Sequence, residues 1–203
     1  MTVLRGKYGR GGTGMKGRNI LITGIPGVGK TTFVKSLCAA LAPRRVAGFY
    51  TGEIREGGVR KGFEIVSLDG VTRILAHVDN KSPYRVGRYG VDVHGLEYFL
   101  RWISFHDAHT DLAVIDEVGK MECFSRPFRN LVTKMLESSV PLVATIALRG
   151  GGFIAEVKMR KDITLLELTR ANRDDMLPKV LALLAPKPRG EALPHPPGGG
   201  SRP

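Results

Sequence analysis

With 203 residues, 42% of them hydrophobic, the chain has material for one sizeable core, and a single domain is expected. No run of about 18 apolar residues occurs, and the start MTVLRGK lacks the apolar centre of a secretion signal, so a cytoplasmic protein without membrane spans is expected. About half of the formal charge of +12 lies in two terminal segments. Residues 1–17 hold Arg5, Lys7, Arg10 and Lys16 and no acid, and residues 186–203 hold Lys187, Arg189 and Arg202 against Glu191. The excess that is left suits a protein that handles polyanionic nucleotides. Nucleic-acid binding is possible on charge but not favoured, because no aromatic stripe interleaves with the basic residues. Two cysteines, Cys38 and Cys123, make no disulfide framework and are expected as reduced thiols. The chain has no glutamine and only four asparagines, a scarcity of thermolabile amides that fits a thermophilic source or a composition biased by a GC-rich genome.

Residues 1–17 are glycine-rich and basic, without hydrophobic periodicity, and read as a disordered arm; Met15 lies just before the first strand and is a natural alternative start. Asn19–Thr23, NILIT, reads as a buried parallel strand. Next come Gly24, Ile25, Pro26, Gly27, Val28, Gly29, Lys30 and Thr31, which match the phosphate-loop pattern G-x-x-x-x-G-K-[ST]. Glycines let the backbone fold back so that its N–H groups converge on phosphates, with no Cβ in the way. Behind the loop, Phe33, Val34, Leu37, Cys38, Ala40 and Leu41 recur at helical spacing. Strand, glycine loop and helix form the setting that the pattern requires, and the helix dipole adds to the anion site. Lys30 is expected to reach the β- and γ-phosphates of a nucleoside triphosphate, and the Thr31 hydroxyl to bind Mg²⁺.

Val46 to Ile54 and Gly62 to Leu68 read as strands of a hairpin around Glu56-Gly57-Gly58, and Thr72 to His77 as another strand. Leu96, Phe99, Leu100 and Ile103 mark an amphipathic helix. His106 and His109 are three residues apart on its expected continuation, with no further ligand to make a metal site.

Leu112 to Val118 reads as a strand in which the apolar run Leu112, Ala113, Val114 and Ile115 leads to Asp116 and Glu117, with Val118 and then Gly119 behind them. This segment supplies the second half of a nucleotide site. A buried strand ending in Asp costs little when the Asp faces a cation, so Asp116 is expected to hold Mg²⁺, through water. Glu117 is expected to activate a water in line with the γ-phosphate as a general base; a second carboxylate near the metal and a surface charge are the alternatives. The pair tilts the reading toward hydrolysis, since a kinase draws its nucleophile from a second substrate. Phe128, Leu131, Val132 and Met135 mark a helix, Leu142 to Leu148 a strand, Phe153 to Arg160 a short helix and Ile163 to Leu168 the last strand. Leu177, Val180, Leu181 and Leu184 stripe the last helix. Thr145 either senses the γ-phosphate or attacking water or is an ordinary strand residue. Residues 186–203 are rich in Pro and Gly and read as a flexible tail. The expected fold is a layered α/β domain over residues 18–185 with a largely parallel sheet, its ligand at the carboxyl ends of the strands.

From about Asn19 to Leu184 the chain resembles the thermostable nucleoside-triphosphatases of archaea and bacteria, relatives of the vertebrate cancer-related nucleoside-triphosphatase. The resemblance rests on the phosphate loop and on GFYTGEIR (48–55), Gly62-Phe63, VGRYGV (86–91), IDEVGKME (115–122), VATI (143–146) and Asn172-Arg173-Asp174. IDEVGKME and the Asn-Arg-Asp run are its most specific pieces. The resemblance implies a P-loop NTPase fold of the RecA-like, additional-strand group, with an α/β/α layering. It also implies Mg²⁺-dependent hydrolysis of ATP, GTP and other nucleoside triphosphates with weak base selectivity. The two terminal arms and the loop Arg149-Gly-Gly-Gly152 depart from the pattern.

Several positions stay open. Lys120 either neutralises charge on the leaving phosphates or pairs with Glu122. Asn172 caps the last helix, with Asp174 and Asp175 in its first turn, or the Asn172-Arg173-Asp174 run contacts base or ribose. Arg55, Lys61, Arg85, Arg88 and Arg149 are candidates for an arginine-finger role. A phosphotransferase acting on a nucleoside or small metabolite, and an RNA-associated ATPase or nucleotide switch, are the rival functions. A monomer is expected.

Overall fold

The computed structural model describes residues 18–185 apart from 106 and 108. Both terminal arms, 1–17 and 186–203, and His106 lie outside the described residues. In chain order the strands are β1 (Asn19–Thr23), β2 (Val46–Glu56), β3 (Val59–Ser67), β4 (Thr72–His77), β5 (Arg85–Val86), β6 (Tyr89–Val91), β7 (Leu112–Val118), β8 (Leu142–Ile146) and β9 (Ile163–Glu167). The helices are α1 (Lys30–Ala40), α2 (Val93–Leu100), α3 (Arg126–Glu137), α4 (Phe153–Lys158) and α5 (Arg173–Leu184).

All strands join one sheet in the order β5-β6-β4-β3-β2-β7-β8-β1-β9. The half built from β2, β7, β8, β1 and β9 is parallel, as expected. The other half is antiparallel, because its strands follow one another through short turns that leave no room for a crossover. The β2–β3 turn is a Gly57-Gly58 pair with φ of 53° and 79°, the left-handed geometry that suits a two-residue hairpin. β5 and β6, two and three residues long, form a small hairpin that hydrophobic patterning does not announce.

Every residue of β1 and β8 is buried, which explains why apolar residues dominate both strands. Successive side chains serve opposite layers. Ile20 and Ile22 pack with Phe33, Val34, Leu37, Met176 and Val180 of α1 and α5. Leu21 and Ile115 belong to the other core, with Leu96 and Phe99 of α2, Phe128 and Val132 of α3, and Ile154 and Val157 of α4. The result is the expected α/β/α layering.

α2 stops at Leu100, short of Ile103. The chain turns there, with the Trp102 amide donating to the Phe99 carbonyl. His109 sits in a turn, so the described residues give it no helix to share with His106.

Candidate active site

The strand order decides which groups can meet. β8 lies between β1, which leads into the glycine loop, and β7, which carries the two carboxylates near its carboxyl end. Thr145 on β8 therefore stands between the two halves of the site.

β1 delivers the chain to Gly24, where a Cβ would lie 2.5 Å from the Leu168 carbonyl oxygen, so only glycine fits. The Leu168 amide donates to the Thr23 carbonyl at 2.7 Å and ties the loop to the end of β9. Val28 is buried and anchors the loop to the α1 core, while Ile25 is exposed. Gly29, at φ 107°, opens α1 in a conformation that a side chain would strain. α1 has no side-chain cap and no acid in its first turn. Its leading N–H groups are thus available to an anion.

Lys30 and Thr31 are the first two residues of α1. Lys30 Nζ donates to the Gly24 carbonyl at 3.2 Å and lies 3.5 Å from Glu117 Oε2. Thr31 Oγ1 donates to Asp116 Oδ2 at 2.6 Å. Thr145 Oγ1 donates to the other oxygen, Asp116 Oδ1. Asp116 is 1% exposed. The β7–β8 pairing is irregular between Ile115 and Val118, where the two carboxylates project.

Burial pushes the Asp116 carboxyl above its ordinary value, against the opposing pull of the Thr145 and Thr31 hydroxyls, the Thr51 amide and Lys30. Burial also raises Glu117; the Lys30 ammonium opposes this and the Asp116 charge reinforces it. Glu122 is 4% exposed and pushed up to about 8, first by burial and then by the charge of Glu117. A Cβ on Gly119 would lie 2.7 Å from Glu122 Oε2 and 3.0 Å from Glu117 Oε1, so both carboxylates flank this one glycine. Lys158 on α4 is half-buried, donates to the Leu148 carbonyl at 2.8 Å and is lowered by burial, with Glu117 partly restoring it.

The Thr31 hydroxyl and the Asp116 carboxylate are hard oxygen donors in direct contact. Such a pair fits Mg²⁺, which takes few protein ligands and keeps water or phosphate oxygens for the rest. Lys30 and Glu117 put a fixed cation and a carboxylate base side by side. Leu112, Ala113, Val114 and Ile115 are buried in β7 and offer a ligand no surface; they carry Asp116 to the sheet end. Val118 and Gly119 are buried too.

Two readings of neighbouring residues change. Lys120 is exposed and, among the described residues, forms no ion pair, while Glu122 turns inward; the two do not pair. Asn172 occupies the cap position of α5 without capping it. Its Oδ1 accepts from the Thr169 amide at 2.8 Å and its Nδ2 donates to the Glu167 carbonyl at 2.9 Å, so it holds the turn after β9. Asp174 and Asp175 lie in the first turn, as expected. Among the candidate arginine fingers, Arg55 is held by Glu53 and Lys61 lies 4.0 Å from Glu56, while Arg149 is exposed. Sequence reasoning passed over Lys158, which no motif marks; its only signal is its place on the helix after the Thr145 strand.

A family model described as NTPase matches residues 19–181. Nucleoside-triphosphatase THEP1 of Thermotoga sp. (strain RQ2) is 46% identical over 166 residues, covering 81% of this chain and 94% of the relative. The crystal structure of THEP1 from the hyperthermophile Aquifex aeolicus matches with a TM-score of 0.70 at 38% identity, over 82% of this chain and 98% of that one. The solution structure of a human cancer-related nucleoside triphosphatase matches with a TM-score of 0.68 at 35% identity, over 81% and 96% of the two chains. Family match, sequence identity and superposition agree: the chain belongs to the NTPase family and has its P-loop α/β fold.

Proposed function

We propose that this protein hydrolyses nucleoside triphosphates to diphosphate and phosphate, requires Mg²⁺ and discriminates weakly between bases. The observation that carries the reading is the 3.5 Å approach of Lys30 to Glu117 beside an Asp116 fixed by Thr31. In the mechanism we infer, the loop N–H groups and Lys30 hold the β- and γ-phosphate oxygens. Thr31 and Asp116 hold Mg²⁺, which when bound neutralises charge on those oxygens. Glu117 takes a proton from a water whose oxygen bonds to the γ-phosphorus; the β–γ bridging P–O bond breaks and the diphosphate leaves with its electron pair. Every group assigned here acts on phosphate or water and none on a base, which supports broad specificity. The names of the relatives, which specify nucleoside triphosphates and no base, point the same way. The two free cysteines suit a reducing cytoplasm.

The test is phosphate release by the purified protein from ATP, GTP, CTP and UTP, with Mg²⁺ and then with EDTA, and again with added nucleosides or RNA. Release by the protein alone, similar across bases and lost in EDTA, is expected. Release that needs a nucleoside or RNA would overturn the reading in favour of a phosphotransferase or an RNA-dependent ATPase.

A further inference from the structure

A cleft of about 640 Å³ opens without including any phosphate-loop residue or either of the carboxylates Asp116 and Glu117. Its walls come from the segments that follow β7 and β8 and from the β5–β6 hairpin. Lys120 is three residues beyond Glu117, and Gly151 belongs to the loop beyond Thr145. None of Lys30, Asp116 and Glu117 lines the cleft, which is thus a separate space, of a size that holds a small molecule.

Its charge is one-sided. Arg85, Lys120 and Arg129 line it, against the single carboxylate of Glu156. The two arginines are oriented without being neutralised. Arg85 donates to the Asn80 and Arg88 carbonyls at 3.2 and 2.7 Å, and Arg129 to the Cys123 carbonyl. Among the described residues none of the three cations forms an ion pair. The Cys123 thiol, pushed up to about 12 by burial and then by Glu122, adds no negative charge. Guanidinium groups held by neutral carbonyls keep their full attraction for an anion.

The remaining wall is apolar and aromatic. Phe124, 37% exposed, packs its ring 5.3 Å from that of Tyr84, and Phe153 also lines the space. A ring ligand gains from such faces, and Glu156 can accept from its N–H or hydroxyl groups. The geometry points to a second ligand site here, one that binds a nucleoside monophosphate: a flat ring for the phenylalanines and a phosphate for the three cations. This goes beyond the hydrolysis proposed for the phosphate loop, whose mechanism assigns no step to these residues.

The test is calorimetric titration of the full chain with AMP, GMP, CMP and UMP in Mg²⁺, without and then with a saturating non-hydrolysable ATP analogue. Inorganic phosphate and a free nucleoside are titrated as controls. We expect monophosphate binding with the analogue present and binding at least ~10-fold weaker for each control. Arg85→Glu reverses one exposed charge. Gly151→Trp fills the cleft from a position where a Cβ meets nothing within 4 Å. Each should weaken monophosphate binding at least ~10-fold while changing analogue affinity less than ~2-fold. Three results would each overturn the proposal: no monophosphate binding up to about 5 mM, binding that the analogue abolishes, or equal binding of inorganic phosphate. Phosphate release is not read, so this site and the hydrolase reading fail independently. If the analogue itself does not bind, the nucleotide reading fails, and the cleft is judged on the monophosphate titration and the two variants.

Discussion

Thr31 and Asp116 are hydrogen-bonded at 2.6 Å although the strands that lead to them, β1 and β7, are not neighbours in the sheet. The intervening strand β8 supplies Thr145, which binds the other oxygen of the same carboxylate. A buried carboxylate is thus clamped between the two halves of the candidate site. Asp116→Asn keeps the shape but removes the charge. It should raise the Mg²⁺ concentration needed for half-maximal phosphate release by at least ~10-fold, the scale of a disturbed metal site. An unchanged Mg²⁺ titration would remove Asp116 from the metal.

Lys30 and Glu117 face each other at 3.5 Å, yet their losses should differ. Lys30→Ala removes the only side-chain cation of the loop and should abolish tight nucleotide binding in a fluorescent-nucleotide titration. Glu117→Gln leaves Lys30 free to bind phosphate. It should retain affinity and lower kcat by about 10² to 10⁴, the range for a general base. Full turnover in Glu117→Gln would defeat its assignment.

Thr145→Val replaces a hydroxyl with a methyl at a fully buried position. Asp116 Oδ1 then loses its donor, which should cost about 1–3 kcal/mol in urea denaturation. Bound Mg²⁺ and nucleotide should recover part of that loss, because they stabilise the same carboxylate. A variant as stable as the parent would show that the hydrogen bond contributes nothing net.

The opposite layer offers a test of packing alone. Phe49 on β2 is fully buried, with its ring 5.8 Å from that of Phe99 and 6.5 Å from that of Phe128. Phe49→Ala should cost about 3–5 kcal/mol by leaving a cavity where three aromatic rings meet. A loss under about 1 kcal/mol in the same denaturation would mean that the layer collapses to fill the space.

The parts of the site legible in the sequence are those where backbone and chemistry coincide. The run from Asn19 to Leu41 announces strand, glycine turn and helix because each residue type suits one backbone geometry. Asp116 and Glu117 stand out because acids rarely end a buried strand. What stayed hidden depends on which way a side chain turns. Nothing local says that Glu122 points inward while Lys120 points out, since the decision belongs to the burial of Gly119 between two carboxylates. Asn172 looks like a helix cap, but the turn after β9 competes for the same amide and wins. β5 and β6 are too short for a two-residue period to register, and α2 ends where a chain turn, not a glycine or proline, stops it.

Glu122 carries the last prediction, in the pH dependence of stability. Its ordinary value is 4.5, and in the fold it is pushed up to about 8. Between these values the folded state keeps a proton that the unfolded chain has released, so stability falls as pH rises across that window. The contribution is constant below about 4.5 and again above about 8. Asp116 and Glu117 are raised as well and add to the same slope. Glu122→Gln keeps the shape and the hydrogen-bonding capacity without the ionisation. Its Tm should decline less steeply than that of the parent between about pH 5 and pH 8, and the two should differ most at the alkaline end, with Gln the more stable. Parallel Tm curves over that range would show that Glu122 ionises in the fold as easily as in water, and that its neighbours give it no special hold on the proton.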